Sequence, residues 1–86
     1  MTTKVEIDTT HVYIKFNNKI HDYDVTDFKD LSSKVENELG IKKNNQKFVH
    51  AGKSFTKKEI DSLPDFTSNG ITDGVNIEVV PLIIGG

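Results

Sequence analysis

The chain contains no cysteine, no arginine and no tryptophan, and each of these gaps removes a class of chemistry. Without cysteine there is no disulfide, no thiolate metal site and no nucleophilic thiol, a composition that suits a reducing, cytoplasmic compartment. Without arginine, all eleven basic residues are lysines, so the rigid fork that holds phosphate or carboxylate by two parallel hydrogen bonds is missing. No apolar run is long enough to span a bilayer, and no basic-then-apolar leader follows Met1, so no membrane partner is expected. A net charge of −2 argues against nucleic acid as the main partner. His11, His21 and His50 lack metal-ligand spacing, and no metal or cofactor is expected. Asp22, Asp24, Asp27 and Asp30 lack the central glycine and closing glutamate of a calcium loop, so they read as solvated charge near a helix. No acid/base or nucleophile constellation is present, so the chain is not expected to be an enzyme.

What remains is enough for one small core: 86 residues, 35% of them hydrophobic. Val12, Ile14 and Phe16 alternate with Tyr13 and Lys15, the period of a half-buried strand. Asn17-Asn18 predicts a tight hairpin, with a returning strand from Lys19 to Val25. Thr26 or Asp27 can cap a helix on which Phe28, Leu31, Val35 and Leu39 form one apolar stripe. Gly40 fits a left-handed end to that helix, with Ile41 folding back onto it. Lys47 to His50 reads as a strand, Ala51-Gly52-Lys53 as a turn, and Ser54-Phe55 as a short continuation. Thr56-x-x-Glu59 resembles a capping box, opening a brief helical turn through Ile60 and Leu63. Pro64 to Gly70 is a loop, Ile71 a plug into the core, and Asp73-Gly74 a turn. Val75, Ile77 and Val79 form the last strand, which must return beside the first for one helix to cover the sheet. The pattern predicts an α+β roll of the β-grasp type, with a mixed sheet of four to five strands packed on one amphipathic helix. Residues 1–10 are expected to be a flexible arm, 11–80 the domain and 81–86 a flexible tail.

The tail reads Pro81-Leu82-Ile83-Ile84-Gly85-Gly86. Two adjacent glycines can thread a narrow enzyme channel, and a free α-carboxylate, with a reference pKa of about 3.5, is ionised at neutral pH. Pro81 is expected to stop strand pairing and set the direction in which the tail leaves the sheet.

Gly40-Ile41-x-x-x-x-Gln46-Lys47-Phe48-Val49-x-Ala51-Gly52-Lys53-x-Phe55 resembles the segment after the helix in ubiquitin and ubiquitin-like proteins. Asp73 to Val79 resembles their last strand, and Gly85-Gly86 their mature C-terminus. The resemblance spans roughly Val12 to Gly86. It implies a protein modifier, a monomer, whose Gly86 is adenylated by an activating enzyme, taken onto a cysteine as a thioester and passed to lysine amines of target proteins. Conjugating enzymes and a deconjugating protease are the further partners it implies. Leu82 and Ile84 stand where ubiquitin has arginines, so Leu82, Ile83 and Ile84 imply an activating enzyme or protease with an apolar groove. Outward-facing Val49 and Val80 match the apolar patch of ubiquitin, although Glu78 stands where ubiquitin has a histidine. Lys53 and Lys34 match lysines that ubiquitin uses for chain linkage. The loop at Pro64 to Ser68 is longer than in ubiquitin. The Asn17-Asn18 turn is tighter, as in the sulfur carriers of thiamin and molybdopterin synthesis, which share the di-glycine end. Two alternatives therefore stay open: a sulfur carrier with a thiocarboxylate at Gly86, and a non-covalent ubiquitin-like binding module.

Overall fold

Asn17 and Asn18 adopt φ values of 54° and 63°, the left-handed pair that a two-residue hairpin turn needs and that asparagine tolerates. They join β1 (Thr10–Phe16) to an antiparallel β2 (Lys19–Val25), with Phe16 opposite Lys19 and Thr10 opposite Val25. The structure, a computed structural model, describes residues 9–82. The first eight residues of the expected arm lie outside them, as do Ile83, Ile84, Gly85 and Gly86 of the tail. Thr10, assigned by sequence to the arm, already pairs in the sheet.

Asp27 caps α1 (Phe28–Leu39): its carboxylate accepts from the Asp30 N–H at 2.8 Å, and Asp30 Oδ2 accepts from the Thr26 N–H at 3.0 Å. Asp27 thereby satisfies a backbone donor of the first turn, and Asp30 reaches back to the donor just before the cap. Phe28, Leu31 and Val35 of the expected stripe are fully buried. Gly40 (φ 75°) closes the helix, and Ile41 turns back into the core. After a 3-10 turn at Lys43–Asn45 come β3 (Gln46–His50) and β4 (Lys53–Phe55), linked by Ala51 and Gly52, both at positive φ. Lys53, read as part of that turn, is the first residue of β4 opposite His50. The Thr56–Glu59 capping box opens α2 (Lys57–Ser62), and β5 (Val75–Pro81) completes the sheet. The strand order is β2-β1-β5-β3-β4, with β1 and β5 parallel and the other pairs antiparallel. This is the α+β roll expected from the pattern, at five strands.

Two expectations need correction. The helical turn read through Leu63 ends at Ser62, and Leu63, its C-cap, is 46% exposed. Phe66, within the expected loop, is 2% exposed and packs edge-on to Phe28 with ring centres 4.9 Å apart. The loop can bury it because its own backbone is tied down: the Phe28 N–H donates to Pro64 O (2.9 Å), the Ile71 N–H to Phe66 O (2.9 Å) and Asn69 Nδ2 to Leu63 O (2.8 Å). Pro81 does not stop pairing. It lies opposite Gln46, and the Leu82 N–H donates to Asn45 O at 2.7 Å. Successive N–H groups in a strand point to opposite sides. With Leu82 aimed at β3, position 81 aims away from β3, toward the side where β1 pairing ends at Glu78. The donor that proline lacks has no partner to lose.

Gln46, only 1% exposed, is the polar centre of this core. Its Nε2 donates to the carbonyls of Ser32 (3.0 Å) and Ile41 (2.8 Å), and its Oε1 accepts from Ser32 Oγ at 2.6 Å. The amide thus fastens β3 to the middle and the end of α1. Gln46→Ala leaves buried carbonyl and hydroxyl groups without partners, and each such group costs about 1–3 kcal/mol. A loss of about 3 kcal/mol with an unchanged denaturant dependence is expected in urea unfolding, and Gln46→Leu, which restores volume but no donor, recovers less than half of it.

Candidate functional site

Strand alternation places Val12, Ile14, Tyr23, Phe48, Ile77 and Val79 against the helix. The opposite face carries Ile20 and Asp22 from β2, Tyr13 and Lys15 from β1, Asn76, Glu78 and Val80 from β5, and Lys47 and Val49 from β3. One row crosses the whole sheet: Ile20 opposite Lys15, Lys15 opposite Glu78, Glu78 opposite Val49, and Val49 opposite Ser54. Val80 lies opposite Lys47. Val49 and Val80 are therefore diagonal neighbours, a relation that puts residues about 7–8 Å apart. Lys47 and Glu78 occupy the other diagonal of the same square. The structure thus brings the two valines together, each half-buried, between one positive and one negative side chain.

Of the other residues singled out by sequence, Lys53 is exposed on β4, and Lys34 is exposed on α1. They sit on different elements and share no site. Leu82, half-buried, continues β5 beyond Pro81, held to Asn45 by its N–H. Gly85, Gly86, Ile83 and Ile84 lie outside the described residues. His50 is half-buried at the end of β3 with Nδ1 3.0 Å from Asn76 O, a satisfied strand histidine as its position suggests. Among the described residues, no group of three or more His, Asp or Glu side chains is arranged to hold a metal ion. Among them, too, no helix is long and apolar enough to cross a membrane.

A second feature of the outer face was not singled out from sequence. His11 Nδ1 lies 2.7 Å from Asp24 Oδ1, and Nε2 is 4.0 Å from Asp22 Oδ1. The ring of Tyr13 meets the imidazole edge to face at 4.9 Å. The His11 backbone N–H donates to Asp73 Oδ1 at 2.7 Å, and its carbonyl accepts from the Gly74 N–H at 2.7 Å, so the residue also ties β1 to the turn before β5. The hydrogen bond to Asp24, aided by the charges of Asp24, Asp22 and Asp73, holds the His11 imidazole above its ordinary pKa. The signal was legible in principle: once Asn17-Asn18 sets the hairpin register, His11 falls opposite Asp24.

A raised folded-state pKa means that His11 contributes stability at pH values below its unfolded pKa of about 6.5, and loses it as pH rises through the folded value. The thermal midpoint of the chain should therefore exceed that of His11→Thr by more at pH 5.5 than at pH 8.5. Equal differences at the two pH values would show that the Asp24 contact is not linked to protonation.

The sequence matches no protein-family model and no curated protein. The fold is similar to the solution structure of the N-terminal ubiquitin-like domain in the 4931431F19Rik protein. That match has a TM-score of 0.74 at 15% identity and covers 100% of this chain and 90% of that one. It is also similar to the crystal structure of ATBAG1 in complex with HSP70, with a TM-score of 0.73 at 18% identity, covering 87% of this chain and 41% of that chain. This chain thus spans less than half the length of the ATBAG1 chain. Identities this low carry the fold alone, and that fold is the ubiquitin-like β-grasp.

Proposed function

We propose that this ubiquitin-like protein is a modifier, conjugated through Gly86 to amines on target proteins in a reducing, cytoplasmic compartment. The observation that supports this reading is that one strand carries both elements such a role needs. Val80 of β5 belongs to the Val49–Val80 patch, and two residues later Leu82 is fixed to Asn45 by its N–H. An enzyme that grips the patch therefore holds the root of the tail at a set distance and direction. From Leu82 to Gly86 the chain advances four residues, a reach of at most about 14 Å. An active site must come that close to the end of β5.

The chemistry follows from the carboxylate. A carboxylate is a poor electrophile until one oxygen becomes part of a good leaving group. Attack of the Gly86 carboxylate on the α-phosphate of ATP, releasing pyrophosphate, would supply the acyl-adenylate. A cysteine thiolate of the activating enzyme would then displace AMP, and a target lysine amine would displace the thiolate to leave an isopeptide bond. This domain contributes no catalytic group to these steps. It is the acyl donor and the surface by which the enzymes recognise that donor. The apolar Leu82, Ile83 and Ile84 select an activating enzyme and a deconjugating protease with an apolar groove. Lys53 and Lys34, both exposed, are the candidate positions for chain linkage.

A second reading has its own support. One of the similar structures is a ubiquitin-like domain at the N-terminus of a protein, and the same Val49–Val80 patch would serve a non-covalent binding module without any use of Gly86.

Removing Gly85 and Gly86 separates the two readings. The shortened chain is expected to keep its thermal midpoint and to lose every Gly-Gly remnant on lysines of other proteins in the native host, as read by peptide mass spectrometry. Partner capture that persists with no remnant from the intact chain would favour the binding module. Exchange of one carboxylate oxygen for sulfur on the intact chain would move the case to a sulfur carrier. Val49→Lys tests the patch. Glu78 lies opposite Val49, so lysine finds an opposite charge across the strands where aspartate would meet a like one. The midpoint should stay within about 4 °C of the parent, while the yield of conjugates falls several-fold. An unchanged yield would remove the patch from the proposal.

A further inference from the structure

On the helical side of the molecule, α1, the Lys43–Asn45 turn and α2 enclose a cleft of about 260 Å³. Its polar lining is Lys29, Ser32 and Ser33 from α1, Lys43 from the turn, and Lys57 and Asp61 from α2, beside the buried side chain of Ile60; the Ser32 hydroxyl is already committed to Gln46. Three ammonium groups face one carboxylate there, an excess of two positive charges within a chain whose net charge is −2. The one direct pair is Lys57 Nζ to Asp61 Oδ2 at 2.5 Å, with both side chains about half exposed. That hydrogen bond, with the charges of Lys57, Lys29 and Lys43 behind it, holds the Asp61 carboxyl below the usual carboxylate range. Lysines from three separate elements thus line one cleft whose lining holds a single carboxylate, while the nearby Glu36 carboxylate is engaged by the Lys43 N–H at 3.2 Å.

We propose that this cleft binds a phosphomonoester dianion, with Asp61 serving as an internal counter-ion that the ligand displaces from Lys57. Charge and size both favour that class. A phosphomonoester carries about −1.5 to −2 at neutral pH and presents three acceptor oxygens, matching three lysine donors. A carboxylate side chain brings half that charge and would not offset the positive excess. The volume lies below the range of about 300–1,000 Å³ typical of drug-sized ligands, so it suits a compact head group. Because lysine is a point charge on a flexible stem, binding is weak and salt-sensitive, and the cleft selects charge rather than a planar geometry. The same dianionic phosphoryl group is presented by a phosphorylated side chain of a partner protein and by free inorganic phosphate. The site shares no residue with the Val49–Val80 patch or the tail, so it stands or falls independently of the modifier reading.

Titration of the full-length chain, followed by amide chemical shifts at constant ionic strength, tests the proposal. The probes are inorganic phosphate, a pentapeptide of four glycines around a central phosphoserine, and the same peptide without phosphate. Saturable shifts at Lys29, Ser33, Lys43, Lys57 and Asp61 are expected with the first two probes and not with the third. Tighter binding of the phosphopeptide would assign the site to a phosphorylated partner, and equal affinity to free phosphate. The double variant Lys29→Gln/Lys43→Gln, which removes two of the three positive charges, should weaken binding about tenfold or more. Asp61→Asn, which removes the competitor, should tighten it several-fold. These opposite signs distinguish a site from general surface charge. Shifts that fail to saturate, that the unphosphorylated peptide reproduces, or that Asp61→Asn weakens or leaves unchanged would overturn the proposal.

Discussion

The parallel pairing of β1 with β5, Val12 beside Val75 and Ile14 beside Ile77, is the constraint on which the rest of the structure depends. Antiparallel neighbours can be joined by two residues, but a parallel pair needs a long crossover. Here the whole middle of the chain is that crossover, and it must cover the sheet it connects. Phe28 shows how: the first residue of α1 packs against Phe48 of β3, Phe55 of β4 and Phe66 of the long loop, at ring separations of 5.8, 4.8 and 4.9 Å. Each of these aromatics comes from a different stage of the crossover, so none can be placed until the others are. The Gln46 amide serves the same end with hydrogen bonds, binding β3 to α1 where an apolar side chain could fill space but not fix register.

What was legible in the sequence is what short-range chemistry decides. Asn17-Asn18, Asp27, Gly40 and the Thr56–Glu59 box each act within a few residues of themselves, and each sits where its chemistry places it. Alternation along β3 and β5 likewise reports which face is buried, and so it places Val49 and Val80 on the outer face. Phe66 was illegible because it is one aromatic residue without a period. Only the backbone bonds from Phe28 and Ile71 reveal that its loop is tied to the core. The burial of Gln46 was hidden for a related reason, since a polar residue in a strand reads as exposed until its three partners are seen. His11 and the lysine-lined cleft depend on tertiary juxtaposition: one on hairpin register, the other on Lys29, Lys43 and Lys57 arriving from three elements.

The charge of the molecule is divided by the sheet. On the outer face, Lys15, Glu78 and Lys47 alternate in sign around the two valines. His11 lies toward the β2 edge among three aspartates, a locally negative corner. The lysine-lined cleft is across the core on the helical side. Because no arginine is present, neither charged region can impose the planar, two-point recognition that guanidinium allows. On the outer face specificity must then come from shape and from apolar contact, which is where Val49 and Val80 lie.

Pro81 ties these observations to the proposed chemistry. Beyond Glu78, β5 has β3 on one side and no β1 partner on the other, which is the situation in which an exposed strand edge invites another chain to pair. A proline at position 81 withholds a donor on that open side and leaves the β3 side intact, so Leu82 still bonds Asn45. The last pairing is thereby kept where it orients the chain and denied where it would recruit a foreign strand. An acyl donor has to satisfy both conditions: its root must be held firmly enough to be aimed, and the approach to its end must stay clear for an enzyme. Closing an open strand edge serves any sheet protein, a non-covalent module included, whereas a held root serves only a chain whose end is presented. Pro81 is placed so that β5 meets both requirements of the proposed acyl donor without setting one against the other.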